Sequence, residues 1–298
     1  MLTILAGIGS LGLAAFNLAL PALTRELVDV PTTPRQVLTG LLTFAAIGIA
    51  LVLCGAGSIN QRRWARPAML TVGWTWLLVG LATVGFVVSN LEDLVILAGA
   101  EQASQPPEID ILIRWILLLP SFALGLIAPL AILWAYAPLD VLQTCRARHP
   151  QPDWSDECPS SVLILALALG FTGALSLPLA LKPVLPWFGG LLTGTAGAVI
   201  SLATGVLFLW TGWALFRLRP AGWWAAGASA AGFAVSTIWT LLETPRAEWY
   251  QALDYPQKHI DQVLAGGEPS RWPAVLATLV LTLATAVYLA AIRKHFRD

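Results

Sequence analysis

Apolar segments of about 20 residues recur along the chain, and this feature limits the fold more than any other, because a helix needs that length to cross the ~30 Å apolar core of a bilayer. Only 11% of the 298 residues are charged and 57% are hydrophobic, whereas about 25% of the residues of a soluble domain are charged. We therefore expect an all-α integral membrane protein. Eight segments can be marked, at 2–23, 36–59, 67–89, 111–136, 161–182, 190–216, 221–242 and 272–292.

The second half of the chain repeats features of the first at a shift of 157 residues. The coinciding pairs are Gly40 and Gly197, Gly48 and Gly205, Gly55 and Gly212, Arg62 and Arg219, and Arg114-Trp115 and Arg271-Trp272. The first segment has a looser partner, in which Leu2 pairs with Val162. These coincidences predict a tandem four-helix unit, with a first repeat at 1–136, a connecting loop at 137–160 and a second repeat at 161–298. Because four spans return the chain to its starting side, the repeats would be parallel.

Lys and Arg residues predict the orientation of the spans. With eight spans, ten of the 17 fall on one side, in compact clusters near helix ends. This side would be cytoplasmic and would hold both termini and the 137–160 loop. The loops near 90–110 and 243–271 would face outward, and Trp249, Tyr250 and Tyr255 in the second are typical of an interfacial helix.

The sequence leaves open whether segments 2–23 and 161–182 fully span. If both were re-entrant, each half would hold three spans and the repeats would be inverted. The basic clusters at 62–66 and 217–219 would then face opposite sides, which argues against that arrangement.

Chemistry-bearing side chains are almost absent from the apolar segments. No Asp, Glu, Lys or His lies in the middle of any of them, so a transmembrane haem or a proton relay has no residues to build on. Neither an HExxH motif nor a GxSxG motif occurs. We predict no catalytic residue and no cofactor, which leans against an enzyme. The formal net charge of zero also shows none of the excess positive charge that is typical of nucleic-acid-binding proteins.

Three polar residues near or within spans are candidate solute or interface contacts: Asn17, Arg114 and Arg271. Asn17 would either contact a solute or form a helix–helix hydrogen bond. The two arginines would either bind an anion or anchor the helix ends at the headgroups, each followed by a Trp. We favour the structural role in each case, namely a helix–helix hydrogen bond for Asn17 and anchoring at the headgroups for the two arginines.

The connecting segment TCRARHPQPDWSDECP, at 144–159, holds the densest set of polar groups. Cys145, His149 and Cys158 are weak candidate metal ligands, because structural zinc sites prefer closely paired ligands such as C-x2-C. A disulfide would require an oxidising compartment. The favoured interpretation is a rigid hinge, stiffened by prolines, in which Asp153 or Asp156 forms turns.

Two stretches carry a resemblance. DVLQTCRARHPQPDWSDECP, ending at Pro159, and RRWAR at 62–66 resemble stretches in a group of bacterial multi-pass membrane proteins, in which a TCxxxxPxPxWxDxCP-type loop joins two hydrophobic blocks. The resemblance implies a bacterial inner-membrane location. It provides no catalytic residue.

Three functions follow as hypotheses. The favoured one is a non-enzymatic scaffold, assembly subunit or interaction module, whose partners would be the lipid bilayer and a membrane protein or a second copy of the chain. The second is a facilitative transporter of a small neutral or anionic solute, with a cavity between the repeats. The third is a thiol or metal sensor at the central loop.

Overall fold

The fold is helical throughout most of its length, in a computed structural model that describes residues 2–27, 34–89, 91, 94–95, 107–255, 257–265 and 271–296. The helices are α1 (Leu2–Leu27), α2 (Pro34–Ile59), α3 (Ala65–Ser89), α4 (Pro107–Phe122), α5 (Ala128–Tyr136), α6 (Leu139–Arg148), α7 (Ser160–Leu179), α8 (Gly194–Phe216), α9 (Pro220–Glu243), α10 (Arg246–Ala252), α11 (Gln257–Ala265) and α12 (Trp272–Ile292). A π-helical turn at Ala123–Ile127 joins α4 to α5, and 3₁₀ turns lie at Trp154–Asp156 and Arg293–Phe296.

Among the described residues, seven helical stretches are long and apolar enough to cross a membrane, which supports the expectation of an all-α, multi-pass membrane protein. They are Pro34–Ile59, Ala65–Val88, Ile111–Tyr136, Ser160–Leu179, Gly194–Phe216, Pro220–Glu243 and Trp272–Phe296. The remaining predicted segment, 2–23, is helical in α1, where the apolar stretch with described side chains is the shorter Thr3–Leu18.

Of the two predicted outward loops, the structure describes most of 243–271 and little of 90–110. Most of 90–110 lies outside the described residues. In 243–271 the chain forms α10, which carries Trp249 and Tyr250, and then α11. The rings of Tyr250 and Tyr255 meet edge to face at 5.4 Å, and Lys182 bridges to Asp254 at 2.9 Å. The aromatic residues thus lie on and beside a short helix, as predicted, and its position in the bilayer stays a prediction.

A β-hairpin precedes α8 and was not predicted. Antiparallel strands β1 (Leu185–Trp187) and β2 (Gly190–Leu192) pair Leu185 with Leu192. The two turn residues between the strands have positive φ angles, 41° at Phe188 and 92° at Gly189, as tight hairpins require. The predicted segment 190–216 therefore begins as a strand and becomes helical only at Gly194.

Hydroxyl groups on one face of α9 hold this hairpin. The backbone N–H of Phe188 donates to Ser236 Oγ at 3.1 Å, and the N–H of Gly189 donates to Thr240 Oγ1 at 3.2 Å. Thr244 Oγ1 donates to the carbonyl of Gly189 at 3.3 Å. Because an unsatisfied backbone group is costly in an apolar setting, these hydroxyls allow a non-helical segment to pack there.

Glycines bring the helices of each half close together. A Cβ on Gly48 of α2 would lie 2.9 Å from the carbonyl oxygen of Gly7, and a Cβ on Gly205 of α8 would lie 3.1 Å from that of Gly173. Small residues permit this backbone approach. The tight pairs α1–α2 and α7–α8 are thus built in the same way.

The turns that follow these pairs share one geometry. Gln61 and Leu218 have φ angles of 52° and 54°. The N–H of Arg62 donates to the carbonyl of Gly57, and the N–H of Arg219 donates to the carbonyl of Ala214, each at 2.9 Å. The turns that lead into α3 and α9 therefore have matching hydrogen bonds as well as matching arginines.

Candidate functional site

The candidate site is the assembly that we call the central platform, made of residues 58–66 and 136–159. Instead of a plain loop, the connecting segment contains α6 and the 3₁₀ turn Trp154–Asp156. Asp153 Oδ1 accepts from the N–H of Trp154 at 2.8 Å, and Asp156 Oδ2 accepts from the N–H of Asp153 at 3.0 Å. Both acids form turns, as the hinge interpretation predicted.

Arg63 fixes the connecting segment through all three of its guanidinium nitrogens. Its Nε donates to the carbonyl of His149 at 2.5 Å, its Nη2 to the carbonyl of Pro150 at 2.9 Å, and its Nη1 to Asp156 Oδ2 at 2.8 Å. The planar guanidinium is the side chain that can present donors in this fixed fork. The RRWAR turn therefore binds directly to the PQPDWSD stretch.

Three further hydrogen bonds, two from Arg66 and one from His149, connect the two parts of the platform. Arg66 donates from Nε to the carbonyl of Tyr136 at 3.1 Å and from Nη2 to that of Ala137 at 2.9 Å. The ring of His149 hydrogen-bonds through Nε2 to the carbonyl of Asn60 at 2.9 Å. Since Arg66 binds the start of the connecting segment and Arg63 binds its end, both ends are tied to one turn.

The electrostatics of the platform favour an ionised Asp156. The hydrogen bond from the Asp153 backbone N–H lowers the pKa of the Asp156 carboxyl most, against the opposing effect of burial, and the hydrogen bond and charge of Arg63 lower it further. The carboxylate is thus the charged acceptor of a charge-assisted hydrogen bond.

The two cysteines of the platform are free thiols with little exposure. Cys158 is 4% exposed and packs against an apolar cluster that includes Leu163, Leu215 and Ile292. Burial raises the pKa of the Cys158 thiol to about 11, and burial also raises that of Cys145, against the opposing charge of Arg66. The thiolate form that binds metals and reacts with oxidants is therefore disfavoured at both positions.

Cys145, His149 and Cys158 do not meet at a common point. Among the described residues no three His, Cys, Asp or Glu side chains are grouped closely enough to hold a metal ion. The imidazole of His149 is bound to Asn60, and Cys158 faces the apolar cluster. The arrangement favours a structural role for all three.

A shallow groove of about 330 Å³ runs over the platform and is lined by Arg62, Arg63 and residues 149–153. Arg62 and Gln151 are exposed along it. The groove therefore offers cationic and amide groups on a surface whose backbone is fixed by Arg63.

The candidate solute contacts lie outside the platform residues, on or beside three different helices. Asn17 on α1 donates from Nδ2 to the carbonyl of Leu13 at 2.8 Å, and its carboxamide occupies the space beside Gly40. Arg271 donates from Nη1 to the carbonyl of Leu242 at 2.6 Å. Arg114 lies half-buried on α4. These hydrogen bonds of Asn17 and Arg271 are of the kind that helix packing and helix capping produce.

Sequence reasoning treated Arg63 only as part of a basic cluster and missed its role. The signal was the presence of both an arginine-rich RRWAR turn and a connecting segment with acidic residues on the side predicted to be cytoplasmic. No family model, curated protein or solved structure matches this chain. The resemblance in the two platform stretches stays a prediction.

Proposed function

We propose that this chain is a non-enzymatic membrane module, a scaffold or assembly subunit, whose central platform binds a protein partner. The observation that carries the proposal is the threefold hydrogen bonding of Arg63 to His149, Pro150 and Asp156. A surface held in one conformation before binding loses less conformational entropy when a partner arrives. A mere tether between two helix blocks has no need of such fixation.

The direct packing of the helices from the two halves supports a module over a transporter. Helix α3 packs against α7 and α12, and α2 packs against α7. Thr71 Oγ1 on α3 lies 3.4 Å from the carbonyl oxygen of Ile164 on α7. A solute passage between the halves would require these contacts to separate.

For the membrane part we infer eight spans in two parallel four-helix repeats, with both termini in the cytoplasm of a bacterial cell. The matching turns at Gln61 and Leu218 support the duplication. The glycine contacts support it for α1 as well, but they pair Gly7 with Gly173, whereas the sequence comparison pairs it with Leu167. Resemblance in the platform stretches supports the bacterial inner membrane.

A site-specific photocrosslinker tests the module hypothesis. We would replace Gln151, exposed on the platform, and separately Val280, exposed on α12, with a photoreactive amino acid, and express the full chain at low level. The expected result is one discrete crosslinked species from Gln151 that Arg63→Gln abolishes and that Lys294→Gln, which removes an exposed cation outside the platform, preserves. A species at twice 31.8 kDa would identify a second copy as the partner.

A smear of products equal to that from Val280 would contradict the module hypothesis. Solute flux in liposomes that depends on Asn17, Arg114 and Arg271 would then favour the transporter.

The orientation is tested separately with a membrane-impermeant maleimide, using Gln151→Cys or Glu248→Cys in a Cys54→Ser background. Because Cys145 and Cys158 are buried, the introduced thiols should dominate. Labelling of Glu248→Cys alone in intact cells is expected, and the reverse pattern would invert the topology.

A further inference from the structure

An open apolar groove of about 410 Å³ lies between α7 and α8 at the end where both helices reach the platform. Its floor is Gly170 and Gly212, and its walls include Leu167, Phe171 and Trp213. Trp154 of the platform forms the end of the groove, with its ring centroid 6.1 Å from that of Phe216. The groove therefore starts between two helices that are long and apolar enough to span a membrane and ends at the connecting segment.

The groove exists because Gly170 lacks a side chain. No heavy atom lies within 4 Å of the place where a Cβ of Gly170 would be. In the α1–α2 pair, a Cβ on Gly55, which matches Gly212 at the 157-residue shift, would lie 2.5 Å from Cγ1 of Ile4. Ile4 thus packs on its glycine in the first pair. In the second pair a Cβ on Gly212 would lie 3.1 Å from the backbone nitrogen of Gly170, which takes the place of Ile4, and the open space lies where Gly170 has no side chain.

A positively charged side chain, that of Arg219, lies at the end of the groove. The guanidinium carbon of Arg219 lies 4.4 Å from the ring centroid of Trp213, a cation–π contact that places the charge beside the apolar wall. Arg217 and Arg219 are both exposed, and within the part of the chain that the structure describes neither forms a salt bridge. Helix α8 ends at Phe216, and because basic residues just beyond the end of a membrane-spanning helix lie among lipid headgroups, we expect both arginines at that level.

We propose that this groove binds an anionic phospholipid, with one acyl chain on Gly170 and Gly212 and the phosphate beside Arg219. A recess of this volume accommodates one flexible acyl chain, whereas a single turn of an α-helix about 10 Å across would already fill it. Since bulk lipid is as apolar as the groove, the chain gains little by entering it. Selectivity must therefore come from the headgroup, and the exposed cations Arg217 and Arg219 supply it.

Native mass spectrometry of the full chain in detergent tests the site, with phosphatidylglycerol and phosphatidylcholine of equal chain length as probes. The wild type should retain phosphatidylglycerol about five-fold more tightly than phosphatidylcholine. Arg219→Gln should remove most of this preference. Gly170→Ile, which copies the Ile4 arrangement, should lower retention of both lipids, while Gly232→Ile, at another glycine with open space around it, should leave retention unchanged.

A photoreactive acyl chain provides the second measurement. Crosslinks should map to residues 163–171 and 212–216 in the wild type and in Gly232→Ile, and should be lost in Gly170→Ile. Trp213→Leu, at a side chain that is 47% exposed, is the second variant should Gly170→Ile unfold. Equal binding of the two lipids to the wild type, or crosslinks that survive in both groove variants, would overturn the proposal.

Discussion

The guanidinium of Arg63 and the carboxylate of Asp156 form a salt bridge with an Nη1–Oδ2 distance of 2.8 Å, although 93 positions separate them in the chain. The side chains are 12% and 28% exposed, so water screens the pair only in part. The same guanidinium binds two carbonyls of the connecting segment. Arg63 therefore determines the conformation of the platform.

Replacing Arg63 with Lys should loosen the platform while preserving its charge. An ammonium group cannot reproduce the three-armed contact, and lost hydrogen bonds to charged groups cost about 1.5–3 kcal/mol. Hydrogen exchange of the amides at 150–158 should accelerate at least about ten-fold. Arg62→Lys, at the exposed neighbour, is the matched control and should leave exchange unchanged, and equal exchange in both variants would contradict a structural role for Arg63.

The platform should also lose stability in acid through Asp156. The folded state lowers the pKa of this carboxyl below its ordinary value of 3.8, chiefly through the Asp153 N–H and further through Arg63. Because the folded pKa is the lower one, the stabilisation is complete above pH ~5 and is lost as the pH falls through the folded value. Exchange at 153–158, corrected for intrinsic rates, should rise below pH 4.

Asp156→Asn supplies the control for this pH dependence, since an amide does not titrate in this range. Its exchange at 153–158 should be fast at neutral pH and should show no further acceleration in acid. A wild-type profile that stays flat down to pH 3 would show that the ionised carboxylate contributes nothing to the platform.

Much of the membrane part could be predicted from the sequence, because length and hydropathy define a span almost by themselves. Helices α3, α9 and α12 begin and end within two residues of the predicted segments. The hairpin could not be predicted, because its apolar run continues into α8 and its polar partners, such as Ser236, follow about 50 positions later. The hydrogen bonds of Arg63 could not be predicted for the same reason, because their acceptors are distant in sequence.

Glycine at position 80 should be required for the packing of α3 against the π-helical turn. A Cβ there would overlap the carbonyl oxygen of Gly125 and lie 2.7 Å from its Cα. Because both contacts are to backbone, Gly80→Ala should cost about 1–3 kcal/mol of unfolding free energy. On the same helix, Gly85 has no heavy atom near its Cβ position. Gly85→Ala should therefore match the wild type in thermal unfolding in detergent, and equal melting temperatures for the two variants would refute the close approach.

Thr240 should be the residue on which the hairpin depends most. Its side chain is fully buried, accepts from the Gly189 N–H at 3.2 Å and donates to the Ser236 carbonyl at 2.9 Å. Thr240→Val preserves the shape but leaves the Gly189 N–H without an acceptor, which should cost about 1–3 kcal/mol. Thr83→Val is matched, because the hydroxyl of exposed Thr83 donates to the carbonyl of Val79 within its own helix. Thermal unfolding and amide exchange at 185–192 should therefore change in the first variant alone, because only there does the hydroxyl satisfy the backbone of another element. A hairpin with unaltered protection in Thr240→Val would mean that the strand pair and Ser236 suffice to hold it.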